Sequence, residues 1–223
     1  MLGKKLVYGV GVNDADYVVK VNETIGYVDG KQRVRLVWIC PFYSKWVSML
    51  QRGYSNKRKE KYPTYKDVTV HKDWHTFSNF RKWMEQQNWE GKQLDKDVLV
   101  LGNKEYSEDT CVFVLPKTNF FITESNASRG EFPIGVYWGK NHKRLVSKCS
   151  DGSGKRIHLG YHITVKSAFY AWLEKRRELS YIVAADESDP RVKEAIINRY
   201  KNYPIPDFSQ YPTLEEMIAC GDY

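Results

Sequence analysis

The sequence predicts an α+β protein with two main domains, and three features of the chain support this prediction. Segments that alternate apolar and polar residues, as strands do, occur beside segments with helical spacing. Hydrophobic residues make up 42% of the 223 residues and aromatic residues 14%, which is enough to fill a core. The polar stretch TESNASRGE, residues 123–131, is predicted to be a linker between an N-terminal and a C-terminal domain.

The first predicted elements are a pair of strands and a helix. The segment DYVVKVNETIGYVDGKQRVRLVWIC alternates apolar and polar residues on both sides of Asp29-Gly30, a dipeptide typical of tight turns. The next segment, CPFYSKWVSMLQRGY, predicts a helix with Pro41 in its first turn and with Trp46 and Met49 at helical spacing.

Residues 55–65 are predicted to form a basic loop, and DWHTFSNFRKWMEQQNW a second helix. Thr76 or Ser78 could cap that helix, and its apolar residues form a stripe that is typical of core packing. The words VLVL and CVFVL then predict two short strands, with a helix near Asn119.

The C-terminal part predicts three short strands, FPIGVYW, KRLVSKCS and KRIHLGYH, separated by GKNH and DGSG. The amphipathic segment TVKSAFYAWLEKRREL predicts a helix, and DPRVKEAIINRY predicts a last helix with Pro190 in its first turn. The tail from Lys201 has no sustained period. Three side chains of the amphipathic helix are predicted to be largely exposed: Lys175, Arg176 and Arg177.

Positive charge is concentrated in two places. The net charge is +8, and residues 132–180 hold ten Lys and Arg against three Asp and Glu. A second basic run lies in residues 52–66. One such run alone is typical of a solvated loop, but two on a chain rich in aromatic residues favour a nucleic acid as partner.

The cysteines and the apolar segments exclude several classes of protein. Cys40, Cys111, Cys149 and Cys220 are widely spaced and have no histidine at zinc-finger spacing, so we expect reduced thiols and no structural zinc. No segment has the length of a signal peptide or of a membrane span. The sequence therefore predicts a cytoplasmic protein that does not associate with a membrane.

One long stretch resembles a known family. The words DVTVHKDWHTFSNFRKWMEQQNWEGKQLDKD, GNKEYSEDTCVFV and a downstream Asn resemble the phage and prophage group of HNH-like, ββα-metal endonucleases. The resemblance covers about residues 40–121, and its most specific words are LDKD, GNKEYS and DTCVFV. It implies an HNH-like domain over residues 1–122, with an N-terminal strand extension, in a phage protein that acts inside the bacterial host.

The resemblance also implies a site for one divalent metal, Mg²⁺ or Mn²⁺. Asp95 matches the metal-binding carboxylate and Asn119 the metal ligand on the helix. Lys96 and Thr110 take the catalytic positions where the family has a histidine base and the asparagine that orients it. A lysine with its ordinary pKa of about 10.4 is a poor base at neutral pH. Asp97 could share the metal, because alternate residues of a strand lie on one side.

Two further interpretations of these residues remain open at the sequence level. His71 or His75, upstream, could supply the missing base. Asp95 and Asp97 could equally be the solvent-facing edge of an ordinary strand.

Residues 132–182 resemble the DNA-binding domain of plant ethylene-response factors, the Apetala-two type, relatives of which occur in phage nucleases. The match consists of Gly135-Val136, the basic-aromatic second strand and the word HLGY, whereas His162 departs from it. It implies a three-stranded antiparallel sheet packed on one helix, with residues 183–223 as a C-terminal helix and tail.

One face of that sheet is predicted to contact DNA. Arg144 and Arg156 are expected at guanine edges, because a guanidinium group can bind guanine through two hydrogen bonds. The lysines are expected at phosphates. The alternative is a solvated strand face with Trp138 in the core. The predicted DNA-binding residues are Tyr137, Trp138, Lys140, Lys143, Arg144, Lys148, Lys155, Arg156 and His158.

Two functional hypotheses follow. The first is a metal-dependent endonuclease of the homing or nicking kind, which hydrolyses phosphodiester bonds of DNA. The second is a catalytically inactive DNA- or partner-binding protein on a decayed nuclease scaffold, with a regulatory or counter-defence role. Asp95 and Asn119, both retained, favour the first hypothesis, and Lys96 favours the second.

Overall fold

The structure, a computed structural model, describes residues 6–123 and 130–220. The chain divides into two compact units, Met1–Phe113 (unit 1) and Val114–Tyr223 (unit 2). The predicted linker, residues 123–131, falls within unit 2, and residues 124–129 of it lie outside the described residues. The boundary therefore precedes the helix that carries Asn119.

Unit 1 contains six short strands, three α-helices and two 3-10 helices, Pro63–Tyr65 and Lys72–His75, in the described part of the chain. Its strands are β1 (Lys20–Val28), β2 (Lys31–Ile39), β3 (Thr69–Val70), β4 (Gln93–Asp95), β5 (Glu105–Tyr106) and β6 (Val112–Val114), the last of which ends at the first residue of unit 2. Its helices are α1 (Pro41–Tyr54), α2 (Asn56–Lys61) and α3 (Phe77–Glu85).

The strands of unit 1 form three separate two-stranded sheets rather than one large one. β1 pairs with β2 in antiparallel fashion, β3 with β5 in parallel fashion, and β4 with β6. The predicted turn at Asp29-Gly30 is confirmed, and both residues have the positive φ that such a turn requires, 50° and 71°. Nearly every side chain of the β1–β2 ribbon is exposed to solvent.

The core of unit 1 lies around α1 and α3, whose predicted apolar stripes are buried. The Trp46 ring packs against Phe77, and its indole N–H donates to the Trp74 carbonyl at 2.7 Å. Leu94 of β4 and Tyr106 of β5 join the same core. These contacts fix the two strands that border the predicted metal site.

Two sequence predictions in unit 1 were wrong for local reasons. The predicted loop 55–65 contains α2, because the Ser55 side chain accepts a hydrogen bond from the Arg58 backbone N–H and so caps a helix. The predicted strand at residues 98–101 is a series of bends and a turn, because the chain leaves β4 in a turn closed by Asp95.

Unit 2 has an α+β arrangement close to the predicted one. The three predicted strands form one antiparallel sheet in the order β7-β8-β9, and α5 packs on β8. The tail, predicted to lack structure, ends in a short helix. The elements of unit 2 are α4 (Pro116–Ile122), β7 (Val136–Gly139), β8 (Arg144–Ser150), β9 (Arg156–His162), α5 (Val165–Ala185), α6 (Pro190–Lys201) and α7 (Leu214–Cys220).

Arg176 of α5 was predicted to be exposed, but only 5% of its surface is accessible. Its guanidinium group lies 3.7 Å from the centre of the Phe121 ring and 4.5 Å from that of Tyr200. It donates to the Ser150 carbonyl at 3.2 Å, to the Phe121 carbonyl and to the Tyr200 hydroxyl. The prediction failed because α4 and α6 cover a side of α5 that the sequence pattern marks as polar.

The predicted free thiols are confirmed: Cys40, Cys111 and Cys149 are buried, and Cys220 is exposed. Burial raises the pKa of the Cys111 thiol to about 12, so that it stays protonated. Among the residues that the structure describes, no helix combines the length and the apolar character needed to cross a bilayer.

Candidate functional site

The turn that follows β4 is built on the Asp95 carboxyl group. Its Oδ1 atom accepts hydrogen bonds from the backbone N–H groups of Asp97 at 2.9 Å and Val98 at 2.8 Å. This turn ends β4 at Asp95, as aspartate side chains that bond the following backbone commonly do. Asp97 therefore lies outside the strand, and the prediction that the two carboxylates share a strand face was wrong.

The Asp95 carboxyl group titrates far from its usual range. Burial, together with the nearby Asp97 carboxylate, raises the pKa of Asp95 to about 6, while the two backbone N–H donors act in the opposite direction. Half of the Asp95 side chains in the population therefore carry a proton near pH 6. Perturbed carboxyl groups of this kind are concentrated at functional sites.

Lys96, the residue at the predicted base position, is only 7% exposed and acts as a clamp. Its ammonium group donates to Asp97 Oδ2 at 3.0 Å and to the Asn103 carbonyl at 2.8 Å. The Asn103 side-chain amide donates hydrogen bonds to the carbonyls of Lys96 and Glu105, both at 2.7 Å. The geometry thus gives Lys96 the role of holding the 97–103 loop closed.

Thr110, at the position of the orienting asparagine, closes a different turn. Its Oγ1 donates to the Glu105 carbonyl at 3.1 Å and is 2.9 Å from the Ser107 hydroxyl. The hydroxyl therefore ties the start of β5 to the segment that leads into β6. The role of Thr110 in this structure is thus to stabilise the backbone between β5 and β6.

The two upstream histidines have partners of their own. His75 Nε2 lies 2.8 Å from the Tyr54 hydroxyl and 3.1 Å from the Val70 carbonyl. His71 is exposed, with Nδ1 3.7 Å from the Asp73 carboxylate. Within the described residues of unit 1, no hydrogen bond or ion pair joins either histidine to Asp95.

Arg52 and Asn103 are site residues that the sequence analysis missed. An Arg52 N–H donates to the Tyr106 hydroxyl at 2.8 Å and to the Leu94 carbonyl at 3.3 Å, which places a cation beside β4. For Arg52, the only signal in the sequence was its position three residues after Met49 on the buried side of α1. Asn103 is part of the GNKEYS motif, so its place in the site could have been predicted from the sequence.

Asn119, the second predicted metal ligand, belongs to unit 2, whereas Asp95 belongs to unit 1. It lies half-buried on α4, where its backbone carbonyl accepts from the Thr123 N–H at 3.1 Å and from the Thr123 hydroxyl at 2.7 Å. Unit 1 by itself thus brings together Asp95, Asp97 and Lys96 from the predicted site.

The carboxylate oxygens of unit 1 are suited to a hard divalent cation. No cluster of three or more His, Cys, Asp and Glu residues occurs in the part of the chain that the structure describes. Asp95 Oδ1 and Asp97 Oδ2 already have hydrogen-bond partners, so each carboxylate keeps one further oxygen. Mg²⁺ commonly binds through one or two carboxylates and keeps several waters, so Asp95 and Asp97 are the side chains of unit 1 that could hold such an ion.

The outer face of the β7-β8-β9 sheet, opposite α5, gathers most of the predicted DNA-binding residues. The register pairs Tyr137 with Val146, Lys148 with His158, and Ser150 with Arg156 on this face. The three strands contain no acidic residue. The predicted residues that lie on the outer face are Tyr137, Arg144, Lys148, Arg156 and His158.

The other predicted DNA-binding residues lie elsewhere in unit 2. Trp138 is paired with the buried Leu145 and so belongs to the inner face, toward α5. Lys140 and Lys143 are exposed in the connection between β7 and β8, and Lys155 precedes β9. Trp138 is half-buried, so it lies apart from the outer face but does not belong to the fully buried core in which the alternative put it.

Tyr161 is an outer-face residue that the sequence analysis missed. It is 51% exposed, and its ring lies between those of His142, at 4.8 Å, and His158, at 5.0 Å. In a regular strand, alternate side chains lie on the same face, so a regular β9 with His158 on the outer face would have Tyr161 on the inner face. An irregularity in the β8–β9 register, where Gly160 has a φ of 108°, shifts the alternation by one residue.

No family model, curated protein or solved structure matches this chain. Its function has to be argued from the side chains and their arrangement.

Proposed function

We propose that this chain binds double-stranded DNA through the outer face of the β7-β8-β9 sheet. The observation that carries the proposal is the set of Arg144, Lys148 and Arg156 on one sheet face, in strands that contain no acid. A major groove about 12 Å wide admits strands, and alternate side chains then reach the bases. The two arginines are suited to guanine edges and the lysine to a phosphate.

The binding experiment compares duplex affinity by fluorescence anisotropy at 0.1 M salt. We expect Arg144→Ala/Lys148→Ala, both on the outer face, to weaken binding by about 10-fold or more, because the duplex loses one arginine contact to a base and one lysine contact to a phosphate. The matched control is Lys193→Ala/Lys201→Ala, which removes the same charge from α6 of the same unit. Equal affinity of the two double variants would refute the assigned face.

A second candidate function is hydrolysis of the bound DNA with one divalent metal, as in a homing or nicking endonuclease. It is supported by the Asp95 and Asp97 carboxyl groups, which lie close enough together that Asp97 adds to the effect of burial on the pKa of Asp95. Bound there, Mg²⁺ or Mn²⁺ would neutralise charge on the scissile phosphate and stabilise the leaving oxygen. Asp95 and Asp97 would hold the ion, and Lys96 would fix the orientation of Asp97.

The competing function is DNA binding without cleavage, in a regulatory or counter-defence role on a decayed nuclease scaffold. It is supported by the engagement of Lys96 and Thr110 in backbone contacts, which leaves neither of them as a general base. The two functions share the DNA-binding face and differ only in the chemistry at Asp95.

Incubation of supercoiled plasmid with Mg²⁺ or Mn²⁺ separates the two functions. The nuclease proposal predicts nicking by the wild type that is lost in Asp95→Ala and in Asp97→Ala and is kept in Asp109→Ala, a change at an exposed acid of unit 1. Absence of nicking by the wild type with either metal supports the binding-only function. Nicking that survives Asp95→Ala rules out this carboxylate as the metal ligand.

A further inference from the structure

Unit 1 has a basic surface of its own, formed by residues 56–66, which we call the α2 surface. It contains one acid, Glu60, and is followed by Asp67. The segment has no fully buried residue. Its five cations are Lys57, Arg58, Lys59, Lys61 and Lys66.

Two tyrosine rings of the α2 surface contact two of its five cations, Arg58 and Lys61. The Arg58 guanidinium lies 4.6 Å from the centre of the Tyr62 ring and 5.8 Å from that of Tyr65. The Lys61 ammonium lies 5.4 Å from the Tyr62 ring. Contacts of this type attract a cation to the face of a ring. The basic run is therefore an ordered surface, unlike the solvated loop that its composition alone indicates.

The positive charge of the α2 surface is not neutralised within unit 1. Lys57, Lys61 and Lys66 are exposed, and no ion pair joins them to another described residue. Glu60 likewise forms no ion pair with a described residue. Three ammonium groups thus remain available to an external anion.

We propose that the α2 surface is a second DNA-contacting surface, which binds phosphates of the duplex without reading its bases. The proposal rests on the DNA-binding function proposed above. Ammonium groups bind phosphates as point charges, and they supply affinity that is independent of sequence and falls with salt. Unit 1, which carries Asp95 and Asp97, would then hold DNA by contacts of its own.

The test measures duplex affinity from 0.05 to 0.3 M salt for two triple variants of the full chain. Lys57→Ala/Lys61→Ala/Lys66→Ala removes the free cations of the α2 surface. Each phosphate contact contributes about 0.9 to the slope of log affinity against log salt, so we expect a slope shallower by roughly 2 to 3. The control removes equal charge from other exposed positions of unit 1 by replacing Lys31, Lys72 and Lys82 with alanine.

The outcomes distinguish this inference from the DNA-binding proposal itself. The α2 contact is supported if only the α2 alanine triple has a shallower slope than the wild type. A third variant, Lys57→Arg/Lys61→Arg/Lys66→Arg, keeps the charge and should then have the slope of the wild type. Equal slopes in the two alanine triples mean that only net charge matters, and they overturn it. If Arg144→Ala/Lys148→Ala weakens binding and the α2 triple does not, this inference alone fails. If the wild type does not bind duplex at all, both proposals fail.

Discussion

The Asp95 carboxyl group both caps the turn after β4 and titrates near pH 6. The position of Asp95 in the LDKD motif could be recognised from the sequence, but its raised pKa could not. That pKa depends on burial and on Asp97, which lies outside the strand. Lys96 was likewise visible as a departure from the family pattern. Its loop-closing role needed the position of Asn103, seven residues away.

The raised pKa of Asp95 makes the stability of unit 1 depend on pH. The folded state keeps the proton up to about pH 6, whereas the unfolded chain releases it near 3.8. The unfolded state therefore binds fewer protons between these values, so the free energy of unfolding falls as pH rises from about 4 to about 6. The loss should be roughly 2–3 kcal/mol, at about 1.4 kcal/mol per pKa unit.

Urea unfolding at pH 4, 5, 6 and 7 measures this effect, with Asp95→Asn beside the wild type. The asparagine oxygen still accepts the two backbone N–H groups but does not titrate in this range. We expect this variant to lack the fall between pH 4 and 6, whereas Asp109→Asn, at an exposed acid, keeps it. An Asp95→Asn variant with the same pH slope as the wild type would contradict the burial of this charge.

Lys96→Met separates the structural role from a catalytic one. Removal of the ammonium leaves Asp97 and the Asn103 carbonyl without this donor, at a largely buried position. We expect a loss of roughly 1–2 kcal/mol in the free energy of unfolding, because the Asn103 carbonyl loses its buried donor whereas Asp97, 42% exposed, can be solvated by water. Lys104→Met, at a nearby exposed lysine, should change stability by less than about 0.5 kcal/mol. Wild-type stability in Lys96→Met would show that the clamp contributes little.

At the scale of elements, the long periodic segments could be predicted and the short ones could not. The patterns of α1, α3 and α5 are set by burial of one face, which leaves a direct mark on the sequence. The VLVL segment follows a side-chain turn that its apolar composition does not reveal. The helix α2 depends on the single cap at Ser55, and one residue is a weak signal.

The β1–β2 ribbon should be the least protected regular element of unit 1. Its two strands pair only with each other in the described chain, and Tyr27 is 70% exposed. Two-stranded ribbons are marginally stable in water, and exposed backbone hydrogen bonds open easily. Hydrogen–deuterium exchange should therefore label the ribbon amides at least about 10-fold faster than those of α1. Equal protection of the two elements would mean that another surface covers the ribbon.

At the scale of the whole molecule, the division into units changes the meaning of the predicted site. The sequence words run without a break from LDKD to Asn119, yet the boundary falls between Phe113 and Val114. A linear motif carries no sign of such a boundary, because packing of α4 within unit 2 decides it. The distribution of charge was easier to foresee: within the described residues, the α2 surface of unit 1 and the outer face of unit 2 each lie in one of the two basic runs.

The central claim, that the outer face of the β7-β8-β9 sheet binds DNA, is tested most directly by a lysine footprint. Wild-type protein is acetylated with and without excess duplex, and each lysine is quantified by mass spectrometry. We expect DNA to slow the modification of Lys148 on the outer face, and of Lys140 and Lys143 in the adjoining β7–β8 connection, by about 5-fold or more. Lys193 and Lys201 of α6 should be unchanged. Protection of the α6 lysines with no protection of the other three would contradict the claim.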